Sequence, residues 1–356
     1  MPNLPRRPSL IDETAAVLRQ RLDEGEWTLR LPGEMELATL LQVGRNTVRS
    51  ALRLLEDEGR LRTRNGLRRK IVSRRDSSEP GRHAILLMAK PENEFPPSTP
   101  AWIAEARTRL ETLGWTFRVL VEPDAYRAQP APLLRQLCSG RREAVWILHR
   151  STPAMQRWFQ ERGPATVLAG SRHEGVLLPQ VEVDLGAVSR HAAGRFLARG
   201  HRHLAVLRPE GPFAGDAECV AAFREGATRA DVAELRCRNG SSGVVAALRQ
   251  HLRTSPRATG LYVLHPDHCA TALSYLQSEG LRIPAELSLI CRDDAPYLEL
   301  LHPEPSRYRH SPRAFASRLA TLVARPDLRA GASTRRVLLM PRAIAGATLA
   351  SVPVLE

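Results

Sequence analysis

The stretch from Leu31 to Val72 constrains the fold more than any other part of the chain. Leu37, Leu40, Leu41 and Val43, then Val48, Leu52 and Leu55, recur at helical spacings on either side of Gln42 to Gly44, which predicts two short helices joined by a tight turn. The second starts at Gly44 or Arg45 and keeps Val48, Ala51, Leu52 and Leu55 inside, which leaves Arg45, Asn46, Thr47, Arg49 and Arg53 facing out. Those side chains suit a DNA major groove, where Arg forks onto guanine, Asn onto adenine, and a Thr methyl meets a thymine methyl. After Gly59, apolar Leu61, Leu67, Ile71 and Val72 alternate with polar residues around Asn65-Gly66, a pair that favours a hairpin turn. This predicts a wing. Arg60, Arg62, Arg64, Arg68, Arg69, Lys70, Arg74 and Arg75 decorate it with no acid among them, so it can neutralise phosphates beside the inserted helix. A solvated helical hairpin without a partner is the competing reading; a charge run alone would favour it, and the order of helix, turn, helix and basic hairpin argues against it.

A chain of 356 residues is longer than one such module needs, so a second, larger domain is expected. The net charge of +14 favours a polyanionic partner, and its placement says where: sixteen basic residues face ten acidic ones in the first 75 positions, against 36 and 28 in the remainder. The basic density peaks at the wing. Arg6 and Arg7 have no long apolar run behind them, and runs such as Ala84 to Ala89 are too short to span a bilayer, so a cytoplasmic protein without a membrane partner is expected. Cys138, Cys219, Cys237, Cys269 and Cys291 are odd in number and scattered without a CxxC pair, which fits reduced thiols.

Before Leu31, Ser9 can cap a helix with Asp12 or Glu13 in its first turn, its buried side supplied by Leu10, Val17, Leu18 and Leu22. After it, residues 74–82 lose apolar periodicity and gather Ser, Pro and Gly, which marks a linker between a first domain over 1–73 and a second over 83–356. In the second domain, strand candidates at Ala84 to Ala89, Phe117 to Val121, Ala144 to Leu148, Thr166 to Ala169, Leu204 to Leu207, Gly260 to Leu264 and Leu287 to Cys291 alternate with amphipathic segments at Trp102 to Leu113, Val188 to Ala198, Val244 to Leu252 and Ala270 to Glu279. Such alternation predicts an α/β class with parallel sheets covered by helices. Ligands of such sheets bind at the carboxyl ends of the strands.

Two resemblances sharpen this. Leu31-Pro32-x-Glu34-x-x-Leu37-Ala38, followed by Val43-x-Arg45-x-Thr47-Val48-Arg49-x-Ala51-Leu52-x-x-Leu55-Glu56-x-Glu58-Gly59, resembles the winged helix-turn-helix of the GntR family of bacterial transcription regulators, over about Ser9 to Ser73. The resemblance implies DNA contacts from Arg45, Thr47 and Arg49 and from the wing tip near Asn65 and Gly66. Met35 and Gly44 depart from it, standing where the family often has an Arg and a Ser or Thr helix cap. From His83 to Leu349, Val181-x-Val183-Asp184, Ala192, Gly200-His201, Ala222-Phe223-Arg224, Asp267-x-x-Ala270, Gly280-x-x-Ile283-Pro284 and Asp293-Asp294 resemble the two-lobed, periplasmic-binding-protein-like sensor of the LacI family. Together they imply a repressor that binds a palindromic operator as a homodimer under the control of a small-molecule effector. Where that family has a sugar-holding Arg, an Asn and a Gly-Phe pair, this chain has Cys219, Pro266 and Cys291-Arg292, so the expected effector is sugar-like or altered.

The expected pocket is built from Arg172, Asp184, Asp216, Cys219, Asp267, Arg292 and Asp293. The alternative is that Asp184, Asp267 and Asp293 cap helices around a vestigial pocket, on a basic protein that binds DNA without sequence preference. His265, Asp267, His268 and Cys269 are close in sequence, but as a loop that coincides with a family motif they read as structural, and no metal is expected. His201 and His203 are expected in a solvated or helix-capping role. With no phosphate loop, hydrolase elbow or zincin motif, and Lys90 the sole lysine after the wing, neither enzyme chemistry nor a cofactor such as pyridoxal phosphate is expected.

Overall fold

The computed structural model describes residues 9–23, 27, 31–58, 60–62, 69–71, 82–238, 240–254, 256–329 and 334–352, with the backbone alone at 23, 62, 70, 71, 326 and 329. The wing tip expected at Arg64, Asn65, Gly66 and Arg68, the side chain of Lys70, and the linker expected at 74–82 lie outside these residues, except that Arg82 opens a strand.

Three helices and a two-stranded ribbon form the N-terminal unit: α1 (Leu10–Asp23), α2 (Glu34–Leu41), α3 (Arg45–Asp57), β1 (Leu61–Arg62) and β2 (Lys70–Ile71). Ser9 and Asp12 cap α1 reciprocally, the Asp12 amide donating to Ser9 Oγ at 3.2 Å and the Ser9 amide to Asp12 Oδ2 at 3.1 Å. Gly44 is the N-cap of α3, and Gln42, with φ of 53°, turns the chain between the two helices. Leu61 pairs with Ile71 and Arg62 with Lys70 in antiparallel register, which is the base of the expected wing. Val48, Ala51, Leu52 and Leu55 of α3 meet Ala15, Leu18, Leu31, Leu37 and Leu61 in one core. Two helix faces differ from expectation. Leu10 and Val17 are exposed, because Thr14, Ala15 and Leu18 fix the inward stripe of α1 one step around the helix; Leu40 is likewise exposed on α2, where Leu37 points inward.

The larger part of the chain folds as two lobes. The first has a parallel sheet of β4 (Trp115–Val121), β3 (Arg82–Met88), β5 (Val145–His149), β6 (Thr166–Ala169), β7 (Gln180–Val183) and β13 (Arg336–Leu339), in that spatial order. The second has β9 (Asp231–Cys237), β8 (His203–Pro209), β10 (Gly260–Val263), β11 (Ser288–Cys291), β12 (Ser306–Arg309) and β14 (Arg342–Ile344), parallel except for the β12–β14 pair. Both faces of each sheet are covered. Along β3, Ala84, Leu86 and Met88 enter a core with α4 (Ser98–Thr112) and α11 (Pro312–Val323), while Ile85 and Leu87 enter another with α5 (Ala131–Cys138) and α6 (Pro153–Arg162). In the second lobe Ala205 and Leu207 face α9 (Ser241–His251) and α10 (Pro266–Ser278), and Leu204 and Val206 face α7 (Leu185–Leu197) and α8 (Ala214–Gly226). Strands buried on both sides must be apolar throughout, which is why they were legible as continuous runs.

The chain crosses between lobes three times: from β7 into α7, from β12 into α11, and from β13 into β14. His201 pins the C-terminal segment and is not solvated; it is buried, with Nδ1 2.9 Å from Thr259 Oγ1 and Nε2 3.0 Å from the Ala350 carbonyl.

Because the N-terminal core shares no residue with the other four, Leu52→Ala should cost about 2–5 kcal/mol there and leave the lobes unaffected. Calorimetry of the full chain should show one transition moved down and the remainder unchanged; a uniform shift of all transitions would contradict separate cores.

Candidate functional site

Two surfaces carry chemistry. On the N-terminal unit, Arg45, Asn46 and Arg53 of α3 are exposed, with Thr47 and Arg49 half-buried beside them. One carboxylate organises this face. Glu34, at the start of α2, accepts from Arg45 Nε at 3.2 Å, from Arg49 Nε and Nη2 at 3.2 and 2.9 Å, and from Arg69 Nη1 at 3.1 Å. The Arg49 hydrogen bond is the largest influence holding the Glu34 carboxyl down to about 2. Arg69 also donates to Glu56 at 2.7 Å, so the base of the wing is tied to the recognition helix rather than free in solvent. Met35 is exposed beside this cluster.

The second surface is a cleft between the lobes, with about 200 Å³ of free space, walled by the carboxyl ends of strands from both sheets. The first lobe contributes Thr99 and Trp102 of α4, His149 and Arg150 at the end of β5, Gly170, Ser171 and His173 after β6, and Glu182 of β7. The second contributes Phe213 to Asp216 at the start of α8, His265 and Pro266 opening α10, Arg292 to Asp294 after β11, and His310 after β12. The lobes touch at Gly215, where an added Cβ would stand 2.6 Å from Ser171 Oγ and 3.6 Å from Ser171 Cβ.

Arg292 is the centre of the second lobe's wall. It forks onto Asp293, Nη2 to Oδ2 at 2.7 Å and Nε to Oδ1 at 3.2 Å, and its Nη1 donates to Asp216 Oδ1 at 2.7 Å. His265 Nε2 lies 3.2 Å from the other Asp216 oxygen. Burial alone would raise the Asp216 carboxyl, but Arg292 and His265 reverse it and hold that carboxyl well below the usual range; Asp293 is lowered the same way, against its burial, by Arg292. The first lobe's wall is different. Glu182 accepts from Ser171 Oγ at 2.9 Å and from the Val183 amide at 2.8 Å, yet burial pushes its carboxyl up to about 7. Arg150 has φ of 48°, a left-handed conformation that costs a non-glycine residue on the order of 1 kcal/mol. Its guanidinium stands 5.1 Å over the Phe213 ring of the opposite lobe.

Of the seven expected pocket residues, Asp216, Arg292 and Asp293 come together and line the cleft. Cys219 lies behind them, its Sγ 3.5 Å from Arg292 Nη1 and fully buried. The other three are engaged elsewhere. Asp184 caps α7 by accepting from the Ala187 amide at 2.8 Å, Asp267 accepts from the Tyr297 hydroxyl, and Arg172 donates to the carbonyls of Leu178 and Thr334, both at 2.5 Å. Residues not expected from sequence include Trp102, His149, Arg150, Ser171 and Glu182. Four of them, Trp102 excepted, lie within the last two residues of a strand or the two that follow it; His149, Arg150 and Ser171 come directly after the strand candidates Ala144 to Leu148 and Thr166 to Ala169, whereas Glu182 lies on a strand the sequence reading did not mark.

Residues 10–70 match the family model of bacterial regulatory proteins of the gntR family, and residues 193–349 match that of the periplasmic binding protein-like domain. The chain joins a gntR-type regulatory domain to a periplasmic-binding-protein-like domain. Solved structures similar to it include a putative transcriptional regulator LacI from Bacillus cereus subsp. cytotoxis (TM-score 0.66, 14% identity, 75% of this chain and 98% of that one). A LacI family regulator from Silicibacter pomeroyi (0.63, 18%, 75% and 98%) is similar too, as is one from Enterococcus faecium with bound ribose (0.61, 17%, 76% and 100%). At these identities the likeness is one of fold. No curated protein sequence gives a significant match. The two-lobed architecture is thus the periplasmic-binding-protein-like one, and the N-terminal match is to a family of bacterial regulatory proteins. Among the described residues no helix is long and apolar enough to cross a membrane.

The raised Glu182 carboxyl gives the cleft a pH signature. Between about 4.5 and about 7 the folded protein holds a proton that the unfolded chain has released, so this residue's contribution to stability is greatest below that window and falls as pH rises through it. Replacing Glu182 by Gln keeps an oxygen to accept from the Val183 amide and sets an amide donor against Ser171 Oγ, without the titration. Chemical denaturation of both proteins from pH 5 to pH 8 should show the stability of the wild type relative to Glu182→Gln falling as pH rises towards about 7, against a common background set by the buried histidines; parallel profiles would refute the assignment.

Proposed function

We propose that this protein is a sequence-specific transcriptional repressor that binds a palindromic operator as a homodimer in the cytoplasm and is controlled by a small molecule held between its lobes. The reader spans residues 1–73, the linker 74–82 and the effector-binding and dimerisation domain 83–356. Arg45, Asn46, Thr47, Arg49 and Arg53 enter the major groove, while Arg64, Asn65, Gly66, Arg68, Arg69 and Lys70 follow the phosphates from the wing. Asp216, Arg292 and Asp293 face the effector; Cys219, Arg172, Asp184 and Asp267 hold the elements around it. The observation that carries this reading is the gathering of Arg45, Arg49 and Arg69 on the single carboxylate of Glu34, which orders groups that a merely solvated basic face would leave free. A palindrome follows from two identical readers, and the two-lobed domain is large enough to hold them at fixed spacing. The ribose held by the Enterococcus faecium protein supports a polar, sugar-sized effector.

One observation favours a second reading, a non-specific DNA-binding protein with a vestigial sensor: the hydrogen bonds of Arg292 all go to the protein's own Asp216, Cys219 and Asp293. DNA selection from a random pool at two salt concentrations separates the two. A palindromic motif that survives the higher salt is expected, and salt-sensitive binding without a motif would replace the first reading by the second. On the selected duplex Arg49→Ala should lose about 1–3 kcal/mol, and much less on random DNA. Equal losses on both would remove Arg49 from base recognition.

A further inference from the structure

The two arginines of the cleft are in opposite states. Arg292 is saturated by Asp216 and Asp293, and Asp216 is met again by His265, so the acids of the second lobe already have partners. Arg150 lines the same cleft with its side chain exposed, and among the described residues its guanidinium donates a hydrogen bond to nothing. Asp216, Asp293 and Glu182 are near enough to act on its charge, yet none of them bonds it. Its backbone is left-handed directly after β5, a strand with neighbours on both sides, where a glycine or asparagine would sit more easily. That conformation holds a residue whose guanidinium reaches across the cleft to the Phe213 ring. Five fixed N–H donors in a planar fork, unspent and aimed between two lobes, match an oxyanion.

Resting on the reading of the cleft as an effector site, we propose that the effector carries an oxyanion, a carboxylate or a phosphate, and that Arg150 is the residue that binds it. The polar body of such a ligand would lie between Trp102 and the Arg292 wall, and its charged group would sit on the guanidinium that Phe213 covers from the opposite lobe. A fork that already touches both lobes makes the occupied site a closed one. A neutral sugar would leave these donors unmatched, a loss the site would feel as weakened binding.

The test uses the full chain and four probes in two pairs, D-ribose with D-ribose 5-phosphate and D-glucose with D-gluconate, read by thermal shift and titration calorimetry. At least one charged member is expected to bind with a Kd ten-fold or more below that of its neutral parent, and which pair responds tells phosphate from carboxylate. Arg150→Gln should lose that preference, and Arg150→Lys should keep part of it, since an ammonium supplies charge without the fork. Arg150→Gly should leave the melting temperature of the ligand-free protein unchanged or raised, whereas an arginine with a structural role would lower it on removal; a lowered melting temperature would overturn the proposal. A wild type that binds the neutral and charged members of each pair equally, or a charged member bound equally by the wild type and Arg150→Gln, would overturn it while leaving the cleft as an effector site. Binding of none of the four would overturn both.

Discussion

Three crossings of the chain between two sheets are the constraint on which the cleft depends. Each lobe has its own pair of cores, so neither needs the other to bury its strands; the crossings alone set the carboxyl ends of one sheet against those of the other. Three segments of backbone therefore join the lobes, the connectivity that a hinge between two domains requires. Gly215 marks the stop. With no Cβ there, α8 approaches Ser171 closely enough that residues from β5, β6 and β7 share one cavity with those from β11 and β12.

Electrostatics divides the molecule's arginines into those that hold structure and those left to meet a partner. Arg292 and Arg307 are buried and bound to several acids each, Arg307 to Asp294 at 2.5 Å and Glu304 at 2.7 Å. Removing one partner from such a buried set costs about 3–5 kcal/mol, so these side chains are fixed. The cluster on Glu34 is intermediate. Its ion pairs are partly solvated and individually weak, so that on the proposed reading these side chains can exchange a carboxylate for a base edge or a phosphate without a large penalty.

Much of the fold could be read from the sequence because its strongest signals are physical necessities. Strands covered on both faces cannot contain many polar residues, and Ala84 to Ala89, Ala144 to Leu148 and Gly260 to Leu264 announce themselves accordingly. Strands with exposed positions did not: Asp231–Cys237, Arg336–Leu339 and Arg342–Ile344 lie at sheet edges, and their Arg, Asp and Glu residues hide the pattern. The recognition helix was legible because Val48, Leu52 and Leu55 leave one orientation open to Arg45 and Arg49, but the role of Glu34 was not, since its three arginine partners lie 11 to 35 positions away. In the cleft, the sequence reading named Asp293 from a family motif, Arg292 from a departure beside it, and Asp216. It also offered Asp184 and Asp267, whose carboxylates serve a helix cap and a tyrosine. Arg150 carries no motif, and its importance lies in a backbone angle and an absent partner, neither of which a sequence displays.

On the function proposed above, the cleft and the DNA-reading surface belong to one device, so that closing the first changes the second. The spacing of 3.6 Å between Ser171 Cβ and a Cβ placed on Gly215 falls in the range of disulfide-bonded cysteines. A Ser171→Cys, Gly215→Cys protein, in which the end of the Leu185 side chain 2.7 Å from the new Cβ must give way, should therefore be locked in this arrangement of the lobes on oxidation and released by reductant, while the native thiols are all buried. Measured on the selected operator, the affinity of the oxidised form should differ from that of the reduced form by roughly five-fold or more, the range of ordinary coupling between sites. Equal affinities for the locked and the released protein would contradict the account, leaving a reader and a binding cleft that share a chain without sharing a function.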